Sequence, residues 1–286
     1  MSAVMTKEER HNLILDTLIK HESITVSNLS TLLEVSAVTI RKDLSELEKN
    51  NRLYRSHGRA ILIDPYINNR SIIEKESLAR HEKSLIGQFA TSLITKDDSI
   101  IIASGTTVLA MARCIRPNMR LTVISASLKV SELLGANEDI ELIQLGGTLR
   151  ASSLSVVGKF AEAPLRDFSC SKLFIGVDGI DLDFGITTTD MRESDLNRAM
   201  MHAAQKTIVL ADSSKFRRRG FSKIADIEDV DMIITDAGIP DKIASAIEDR
   251  GVELQIVKDD NSLNSVIAQN STIIEAPEKT AASIMH

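Results

Sequence analysis

Length, composition and charge set the first limits on this chain. It has 286 residues and a formal net charge of −6, and 43% of its residues are hydrophobic. This length suits a small domain plus a larger one, and the apolar fraction can form a sizeable core. Cys114 and Cys170 are too few for a disulfide framework and lack metal-site spacing, so we expect reduced thiols in a cytoplasmic protein without a metal or cofactor. The sequence also lacks the apolar run of a signal peptide or of a membrane span.

Two amphipathic helices are predicted near the start of the chain. They span residues 8–20 and 26–33, because apolar side chains recur there at helical spacing. The side chains predicted to face inward are Ile14, Leu15, Leu18 and Ile19 in the first helix and Val26, Leu29 and Leu33 in the second.

A third helix is predicted to begin after Ser36, which is a good N-cap residue. Its apolar face is formed by Ala37, Ile40, Leu44 and Leu47. The other face carries short or cationic side chains of the kind that contact phosphates and base edges in a major groove, namely Val38, Thr39, Arg41, Lys42 and Ser45.

A basic β-hairpin is predicted after this helix, with residues 53–55 and 60–63 flanking a turn at Gly58. Between Ser36 and Arg59, six Lys or Arg stand against three Asp or Glu, whereas the whole chain is negatively charged. Such a local excess of positive charge favours contact with DNA phosphates. The pattern indicates a winged helix-turn-helix, although periodicity alone is equally compatible with a small helical bundle that has a solvated charged face.

A linker and a long helix are predicted next. Residues 64–69 are polar and include Pro65, and the residue before a proline avoids helix. From about Ile72 to Ile94 the spacing predicts one helix, with Leu78, Leu85, Phe89 and Leu93 facing inward.

Seven short apolar runs then alternate with mostly helical segments. They are residues 99–103, 121–124, 140–145, 173–177, 207–211, 232–235 and 252–257. Runs that are apolar on both faces predict a parallel sheet covered by helices on both sides. Small or polar residues follow the ends of these runs, and ligands bind at that edge of an open parallel sheet.

The stretch Ser104–Gly105–Thr106–Thr107 follows the first run. A glycine turn between a strand and a helix directs backbone N–H groups and hydroxyls at one place, which suits a phosphate. A routine strand-to-helix turn capped by threonine is the alternative explanation. Lys215 could supply a counter-charge or be an ordinary solvated lysine. Three carboxylates could accept sugar hydroxyls or simply cap helices and turns, namely Asp178, Glu193 and Asp212.

The N-terminal motifs carry a family resemblance. The string VSAVTIRKDLSELEKN, followed by LYRSHGRA, resembles the amino-terminal signature of the DeoR family of bacterial transcriptional repressors. The resemblance implies that the third helix lies in the major groove. It implies DNA contacts by Ser36, Thr39, Arg41 and Lys42, and by Arg55 and His57 in the wing. Two glycines usual in the family are replaced here by Asn51 and Arg59.

The later motifs SGTT, LGGTLR, IGVDGID, GITT and LADSSKF are similar to the carboxy-terminal sensor domain of the same family. The resemblance implies a fold related to ribose-5-phosphate isomerase and a phosphorylated sugar as ligand. The effector-binding residues that it implies are Ser104, Gly105, Thr106, Thr107, Gly147, Arg150, Asp178, Glu193 and Lys215. Two positions depart from the family pattern: Ala103 replaces a frequent Asp, and Ala126 replaces a common Asn.

We therefore expect an α/β protein with four parts. These are a winged helix-turn-helix domain (residues 1–63), a linker (64–71), a mostly parallel α/β effector domain (72–257) and a tail that is flexible or briefly packed (258–286). The expected function is repression of a carbohydrate catabolic operon by a homodimer or homotetramer bound to double-stranded operator DNA, with release by a phosphorylated sugar.

Two other functions fit the same residues. One is a sugar-phosphate isomerase or transferase fused to a DNA-binding domain, because the larger domain holds residue types suited to such chemistry. The other is an interaction module, which a cavity filled by side chains would favour. Fold analogy alone does not decide between binding and catalysis.

Overall fold

A computed structural model of the chain describes residues 5–21, 23–50, 52–56, 59–62, 71–116 and 120–259. Several predicted features lie outside these residues. They are the side chain of Ile19, the wing residues His57 and Gly58, the linker 64–69 and the tail from residue 260 onward.

The N-terminal part contains three helices and a small antiparallel sheet. The helices are α1 (Lys7–His21), α2 (Val26–Leu33) and α3 (Ala37–Lys49), and the strands are β1 (Ser23–Thr25), β2 (Leu53–Ser56) and β3 (Arg59–Leu62). The strand order is β1–β3–β2, so the predicted hairpin β2–β3 extends the helical core as a wing. Thr25 and Ser36 accept hydrogen bonds from backbone N–H groups of Asn28 and Thr39, and so cap α2 and α3.

The core of this part is aliphatic, as the sequence predicts. The fully buried side chains include Ile14, Leu18, Leu29, Ile40, Leu44 and Leu53. Ala37 was predicted to face inward but is only half-buried, because it lies in the first turn of α3 at the edge of the packed face.

The predicted single helix from Ile72 to Ile94 is wrong. The chain forms two helices, α4 (Ile72–Ser77) and α5 (Arg80–Ser92), which are separated by a break at which Ala79 adopts a φ of 47°. The buried Lys83 ammonium on α5 donates hydrogen bonds to the carbonyl oxygens of Lys75 and Leu78, which stabilises the end of α4.

The break also changes which side chains are buried. Leu78 lies at the interruption and is exposed, while Leu85, Phe89 and Leu93 are only partly buried. The fully buried apolar side chains of this region are Ile86, Ala90 and Ile94, one position further along the chain than predicted.

The larger part is built on a seven-stranded sheet. Its strands are β4 (Ser99–Ile102), β5 (Leu121–Ser125), β6 (Ile140–Gln144), β9 (Lys172–Gly176), β12 (Thr207–Leu210), β14 (Met232–Asp236) and β15 (Glu253–Val257). They lie in the order β15–β14–β12–β9–β4–β5–β6, and every neighbouring pair is parallel. The predicted parallel sheet is therefore confirmed.

Helices cover both faces of this sheet. Residues of α5, α6 (Thr106–Ala112) and α7 (Leu128–Leu134) pack in the apolar cluster on one face. On the other face lie residues of α8 (Lys159–Glu162), α9 (Met191–His202) and α10 (Asp241–Glu248). Because both faces are covered, the strands must be apolar on both sides.

Two small antiparallel sheets were not predicted. They are formed by β7 (Thr148–Arg150) with β8 (Ser155–Val157), and by β10 (Gly179–Asp181), β11 (Gly185–Thr188) and β13 (Ser222–Ala225). Each follows the carboxyl end of a strand of the large sheet, so they place additional side chains near the edge at which a ligand is expected.

The close approach of β11 to β13 depends on Gly185, which has a φ of +94°. A Cβ atom there would lie 2.1 Å from the carbonyl oxygen of Ala225. Gly251 has a similar φ of +79°, but a Cβ atom would have no neighbour within 4 Å. Alanine substitutions at the two glycines therefore distinguish the cost of backbone strain, which both would have, from the cost of steric overlap, which only Gly185 would have.

We predict that Gly185→Ala destabilises the protein more than Gly251→Ala does. Both variants pay roughly 1–2 kcal/mol for alanine at positive φ, and only the first adds about 1–3 kcal/mol for overlap with β13. Urea unfolding of the full chain, monitored for both variants, measures the difference. Equal losses would show that the chain around residue 225 accommodates the methyl group without cost.

Candidate functional site

The outer face of α3 presents the predicted DNA-binding side chains together. Ser36, Arg41 and Lys42 are exposed and Thr39 is half-exposed, while its hydroxyl lies 2.9 Å from that of Ser36. Val38 on the same face is 62% exposed. This face is therefore accessible. It carries two cationic side chains, and its other side chains are short, which suits insertion into a major groove.

The opposite side of α3 is held by a buried ion pair. Asp43 is 3% exposed and accepts hydrogen bonds from Arg10 Nε at 2.5 Å and Arg10 Nη2 at 2.9 Å. His11 Nε2 lies 3.2 Å from the same carboxylate. Burial alone would raise the pKa of Asp43, but the Arg10 guanidinium outweighs it and holds this pKa below its ordinary value.

Sequence reasoning missed this pair. Asp43 lies between Ile40 and Leu44 on the apolar stripe of α3, and a carboxylate at such a position needs a partner inside the protein. That placement was the available signal. The bidentate contact fixes α3 against α1, so it sets the orientation in which the outer face meets DNA.

The wing residue Arg55 has a partner within the N-terminal part. Its side-chain Nε and its backbone N–H donate to the carboxylate of Glu48, at 2.8 Å and 2.9 Å. Arg59, at a position where the family usually has glycine, donates from Nη2 to the Ser23 hydroxyl at 3.0 Å. Both arginines thus join the hairpin to neighbouring elements in the described state.

A polar cavity lies at the carboxyl edge of the large sheet. From β4 the chain continues to β5 and β6 on one side, whereas β9, β12, β14 and β15 lie on the other. The carboxyl ends of β4 and β9 therefore flank the point at which the strand order reverses, where open α/β sheets bind ligands. Ser104 follows β4, and Asp178 follows β9.

The cavity brings most of the predicted effector residues together. Its lining includes Ser104, Gly105, Thr106, Thr107, Arg150, Asp178, Glu193 and Lys215. Gly147 is not among the lining residues. It has a φ of 149°, and a Cβ atom there would lie 2.8 Å from the carbonyl oxygen of Val157, so it permits the close pairing of β7 and β8.

Other lining residues were not predicted. They are Ile72, Lys75, Ser152, Ser153, Gly176, Val177, Thr188 and Asn197. Lys75 comes from α4, and the two serines come from the turn between β7 and β8. Two elements that the sequence did not predict, a separate short helix and a hairpin, therefore contribute side chains to the cavity.

The turn after β4 has the geometry expected of a strand-to-helix connection. Gly105 has a φ of 128°, a conformation that side chains rarely adopt, and α6 begins at Thr106. Thr106 and Thr107 are buried in the first turn of α6. Gly176 at the end of β9 lies against this turn, since a Cβ atom there would lie 3.5 Å from the Ser104 carbonyl oxygen.

Two of the cationic side chains in the cavity are paired with carboxylates. Lys75 Nζ lies 2.7 Å from Asp178 Oδ1, and Arg150 donates to Glu193 at 3.1 Å and to Asp190 at 3.2 Å. Burial alone would raise the pKa of Asp178, but Lys75 and Lys215 outweigh that effect and lower it.

Thr188 connects the two cavity carboxylates. Its hydroxyl lies 3.2 Å from Asp178 Oδ2 and 3.1 Å from Glu193 Oε2. Asp178 also accepts a hydrogen bond from the backbone N–H of Thr189 at 3.3 Å. These contacts fix both carboxylates in place, so their free oxygen lone pairs are directed before any ligand arrives.

Lys215 differs from the other two cations. Within the described part of the chain, its ammonium has no hydrogen bond and no carboxylate oxygen within 4.0 Å. Burial lowers the pKa of Lys215, and the more distant charges of Asp178 and Asp212 offset this only in part. A desolvated cation without a direct partner is stabilised by an added anion.

The described residues give no sign of a metal centre or of a membrane span. Across these segments, no group of three His, Cys, Asp or Glu side chains is placed to hold a metal ion. No helix in the same segments is long and apolar enough to cross a membrane.

Two protein-family models match this chain, one in its N-terminal part and one in its larger part. Residues 10–66 match the DeoR-like helix-turn-helix domain, and residues 78–237 match the DeoR C terminal sensor domain. The chain belongs to the DeoR family.

Relatives similar to this DeoR-family chain carry regulator names. The putative aga operon transcriptional repressor of Escherichia coli O157:H7 is 37% identical over 87% of this chain and 93% of its own length. The HTH-type transcriptional repressor GlcR of Bacillus subtilis (strain 168) is 35% identical over 90% of this chain and 98% of its own length. Among solved structures, ribose 5-phosphate isomerase A from Methanocaldococcus jannaschii is similar over 47% of this chain and 53% of its own, at 17% identity and a TM-score of 0.35.

The two departures from the DeoR pattern in the sensor domain are buried. Ala103 and Ala126 are each 1% exposed and belong to the apolar cluster on one face of the sheet. Neither is among the residues that line the cavity. The polar lining of the cavity is therefore formed without a side-chain polar group at either position.

We predict that Asp43→Asn loosens α3 in this DeoR-family protein, whereas Glu46→Gln on the same helix does not. The first change removes the charge that a largely buried arginine pairs with, at a cost of about 1–3 kcal/mol. The second weakens only an exposed pair with Lys7, and exposed pairs of this kind contribute little to stability. Native-state hydrogen exchange of the α3 amides measures both, and unchanged protection in Asp43→Asn would refute the structural role of this ion pair.

Proposed function

We propose that this protein represses a carbohydrate catabolic operon and that a phosphorylated sugar releases it from its operator. The observation that carries the ligand half of this proposal is Lys215, a half-buried cation that has no direct partner among the described residues and lines the same cavity as the Ser104–Thr107 turn. We assign DNA binding to residues 1–63 and effector binding to residues 72–257, and the protein would act in the cytoplasm.

The outer face of α3 supports the DNA-binding half. Arg41 and Lys42 can contact phosphates or guanine edges, while Ser36 and Thr39 are short enough to let the helix approach the bases. A homodimer or homotetramer would place two such helices on a palindromic operator, with half-sites separated by whole turns of DNA.

The cavity supports a ligand that carries both an anion and hydroxyl groups. A phosphate can accept hydrogen bonds from Lys215 and from the hydroxyls of Ser104, Thr106 and Thr107. The carboxylates of Asp178 and Glu193, which Thr188 connects, could accept hydrogen bonds from sugar hydroxyls. The names of the relatives, which include an aga operon repressor and GlcR, agree with a regulator of this class.

The same geometry favours binding over catalysis. General-base catalysis by a carboxylate is most efficient when its pKa is raised toward the working pH. In this cavity the pKa of Asp178 is lowered instead, and Glu193 is paired with Arg150. An isomerase or transferase remains the alternative, and turnover of a bound sugar phosphate would establish it.

The first test is a thermal-shift screen of the full chain against sugar phosphates and the matching free sugars. A ligand that binds only the folded state must raise the melting temperature. We expect one sugar phosphate to raise it and its free sugar to have no effect. No shift with any phosphorylated sugar would reject this ligand class.

Lys215→Met should abolish most of that shift. The loss of one charge-assisted contact with phosphate weakens binding by about 1.5–3 kcal/mol, or roughly tenfold or more. The matched control is Lys242→Met, because Lys242 is exposed on α10 and is not among the cavity-lining residues. An undiminished shift in Lys215→Met would place the phosphate elsewhere.

Arg41→Ala should weaken DNA binding and spare the thermal shift. The expected loss of binding free energy is about 1–3 kcal/mol if Arg41 makes two hydrogen bonds to one base, and less if it contacts only phosphate. The measurement is affinity for an operator duplex selected in vitro from random sequences. Lys96→Ala is the control, since Lys96 is an exposed cation before β4. Normal operator affinity in Arg41→Ala would show that α3 does not read DNA.

A further inference from the structure

Helix α4 lies between the two functional parts of the chain. Residues 63–70 connect it to β3, the last described strand of the wing, and its own residues Ile72 and Lys75 line the cavity. Its first backbone N–H, that of Ile72, donates to the Ser152 carbonyl oxygen at 2.7 Å. A change in the cavity can therefore reach the connection to the DNA-binding part through this one helix.

Polar contacts hold α4 in place more than apolar packing does. Ile72 is its only buried side chain, and Ile73 is 69% exposed. On the cavity side Lys75 pairs with Asp178 at 2.7 Å. Away from the cavity Glu76 pairs with Arg113 and, at 3.0 Å, with Lys129. A short helix with so little buried apolar area is easily displaced when one of its ion pairs changes partner.

The end of α4 is equally dependent on charge. Lys83 is 5% exposed, and its ammonium donates to the Lys75 and Leu78 carbonyl oxygens at 2.7 Å and 2.6 Å. Burial lowers the pKa of Lys83 to about 8. This ammonium therefore holds the end of α4 at the expense of its own hydration, and any shift of α4 must lengthen or rearrange these two hydrogen bonds.

We propose that Lys75 contacts the ligand and couples the occupied cavity to DNA release: the bound anion draws its ammonium away from Asp178, and α4 shifts with it. This inference rests on the proposed function and specifies how the same site is regulated. Nothing in the sequence pattern identifies Lys75, since no predicted motif contains it.

The charges of the cavity explain why Lys75 responds. In the described state Asp178 is the partner of Lys75. A phosphate beside Lys215 adds negative charge in the same cavity and competes for the Lys75 ammonium, while Asp178 becomes free to accept sugar hydroxyls. A ligand shifts a conformational equilibrium only through contacts that differ between the two states. The exchange of partner by Lys75 is such a difference.

The other two cavity cations are less suited to this role. Arg150 belongs to β7 and is held by Glu193 and Asp190, and Lys215 lies in the turn after β12. Among the cations that line the cavity in the described part of the chain, Lys75 alone belongs to the helix that follows the connection to the wing.

Lys75→Met tests the proposal in the full chain, with Lys172→Met as the matched control. Lys172 pairs with Asp98 at 2.6 Å, and the two side chains are 19% and 10% exposed, close to the 24% and 12% of Lys75 and Asp178. The control pair lies at the opposite edge of the sheet, where β4 and β9 begin. Hydrogen exchange of residues 71–79 and affinity for the selected operator are measured, with inorganic phosphate as the ligand probe.

The ligand-free comparison decides the proposal. We expect ligand-free Lys75→Met to exchange at residues 71–79 as fast as wild type does with phosphate, and to bind operator more weakly by roughly 5-fold or more, the lower end of typical allosteric coupling. Lys172→Met should match wild type in both measurements. Wild-type exchange and operator affinity in ligand-free Lys75→Met would overturn the proposal.

The result of the ligand-free comparison does not depend on whether the proposed ligand class is correct. If wild type shows no thermal shift with any sugar phosphate, the ligand class is wrong, whereas the ligand-free comparison still tests whether breaking the Lys75–Asp178 pair releases DNA. If sugar phosphates bind wild type and Lys75→Met retains wild-type exchange and operator affinity, the ligand class stands and the coupling role of Lys75 is rejected.

Discussion

Lys215 holds a positive charge in the cavity at a point where the described part of the chain offers it no carboxylate within hydrogen-bonding distance. The surrounding charges are arranged around this imbalance. Lys75 is paired with Asp178, and Arg150 with Glu193. The side chains that line the cavity therefore include three cations, Lys75, Arg150 and Lys215, and two carboxylates, Asp178 and Glu193, which leaves one excess positive charge. An anionic ligand removes the imbalance, and because Lys75 and Lys215 share one cavity, it also changes the forces on Lys75.

The fold explains why this charge cluster forms where it does. The reversal of strand order between β4 and β9 leaves a gap at the carboxyl edge of the sheet, and each element that borders it contributes a polar group. The small sheets and the first turn of α9 add Arg150, Thr188 and Glu193. In the N-terminal part, a buried ion pair likewise positions functional side chains. The Arg10–Asp43 pair orients α3, while the exposed cations on the other face of this helix remain available for DNA.

Sequence reasoning succeeded where local pattern determines structure. The seven strands are apolar on both faces, so their positions and parallel arrangement could be predicted, and residues that follow strand ends, such as Ser104 and Asp178, were correctly expected at one edge. It failed where a distant contact overrides local preference. The helical spacing continues through Leu78, yet the contacts of the buried Lys83 stabilise a break there. Lys75 lies on the short helix before that break, and its partner Asp178 is 103 residues away along the chain, so no local pattern could have identified its role.

Asp43 illustrates the same limit in the N-terminal part. Its position on an apolar stripe was visible in the sequence, but its partner Arg10 lies on another helix, and only the packing of α1 against α3 brings the two together. Residues whose roles depend on tertiary partners, namely Lys75, Lys83 and Asp43, are therefore those that the sequence left unassigned.

If a ligand in the cavity weakens operator binding, the cavity and the DNA-binding face are linked, and linkage is reciprocal. The most direct test is to measure the affinity of the protein for its sugar phosphate with and without saturating operator DNA. We expect operator DNA to lower the affinity for the sugar phosphate by the same factor by which the sugar phosphate lowers operator affinity. Equal sugar-phosphate affinities for the free and the operator-bound protein would contradict it.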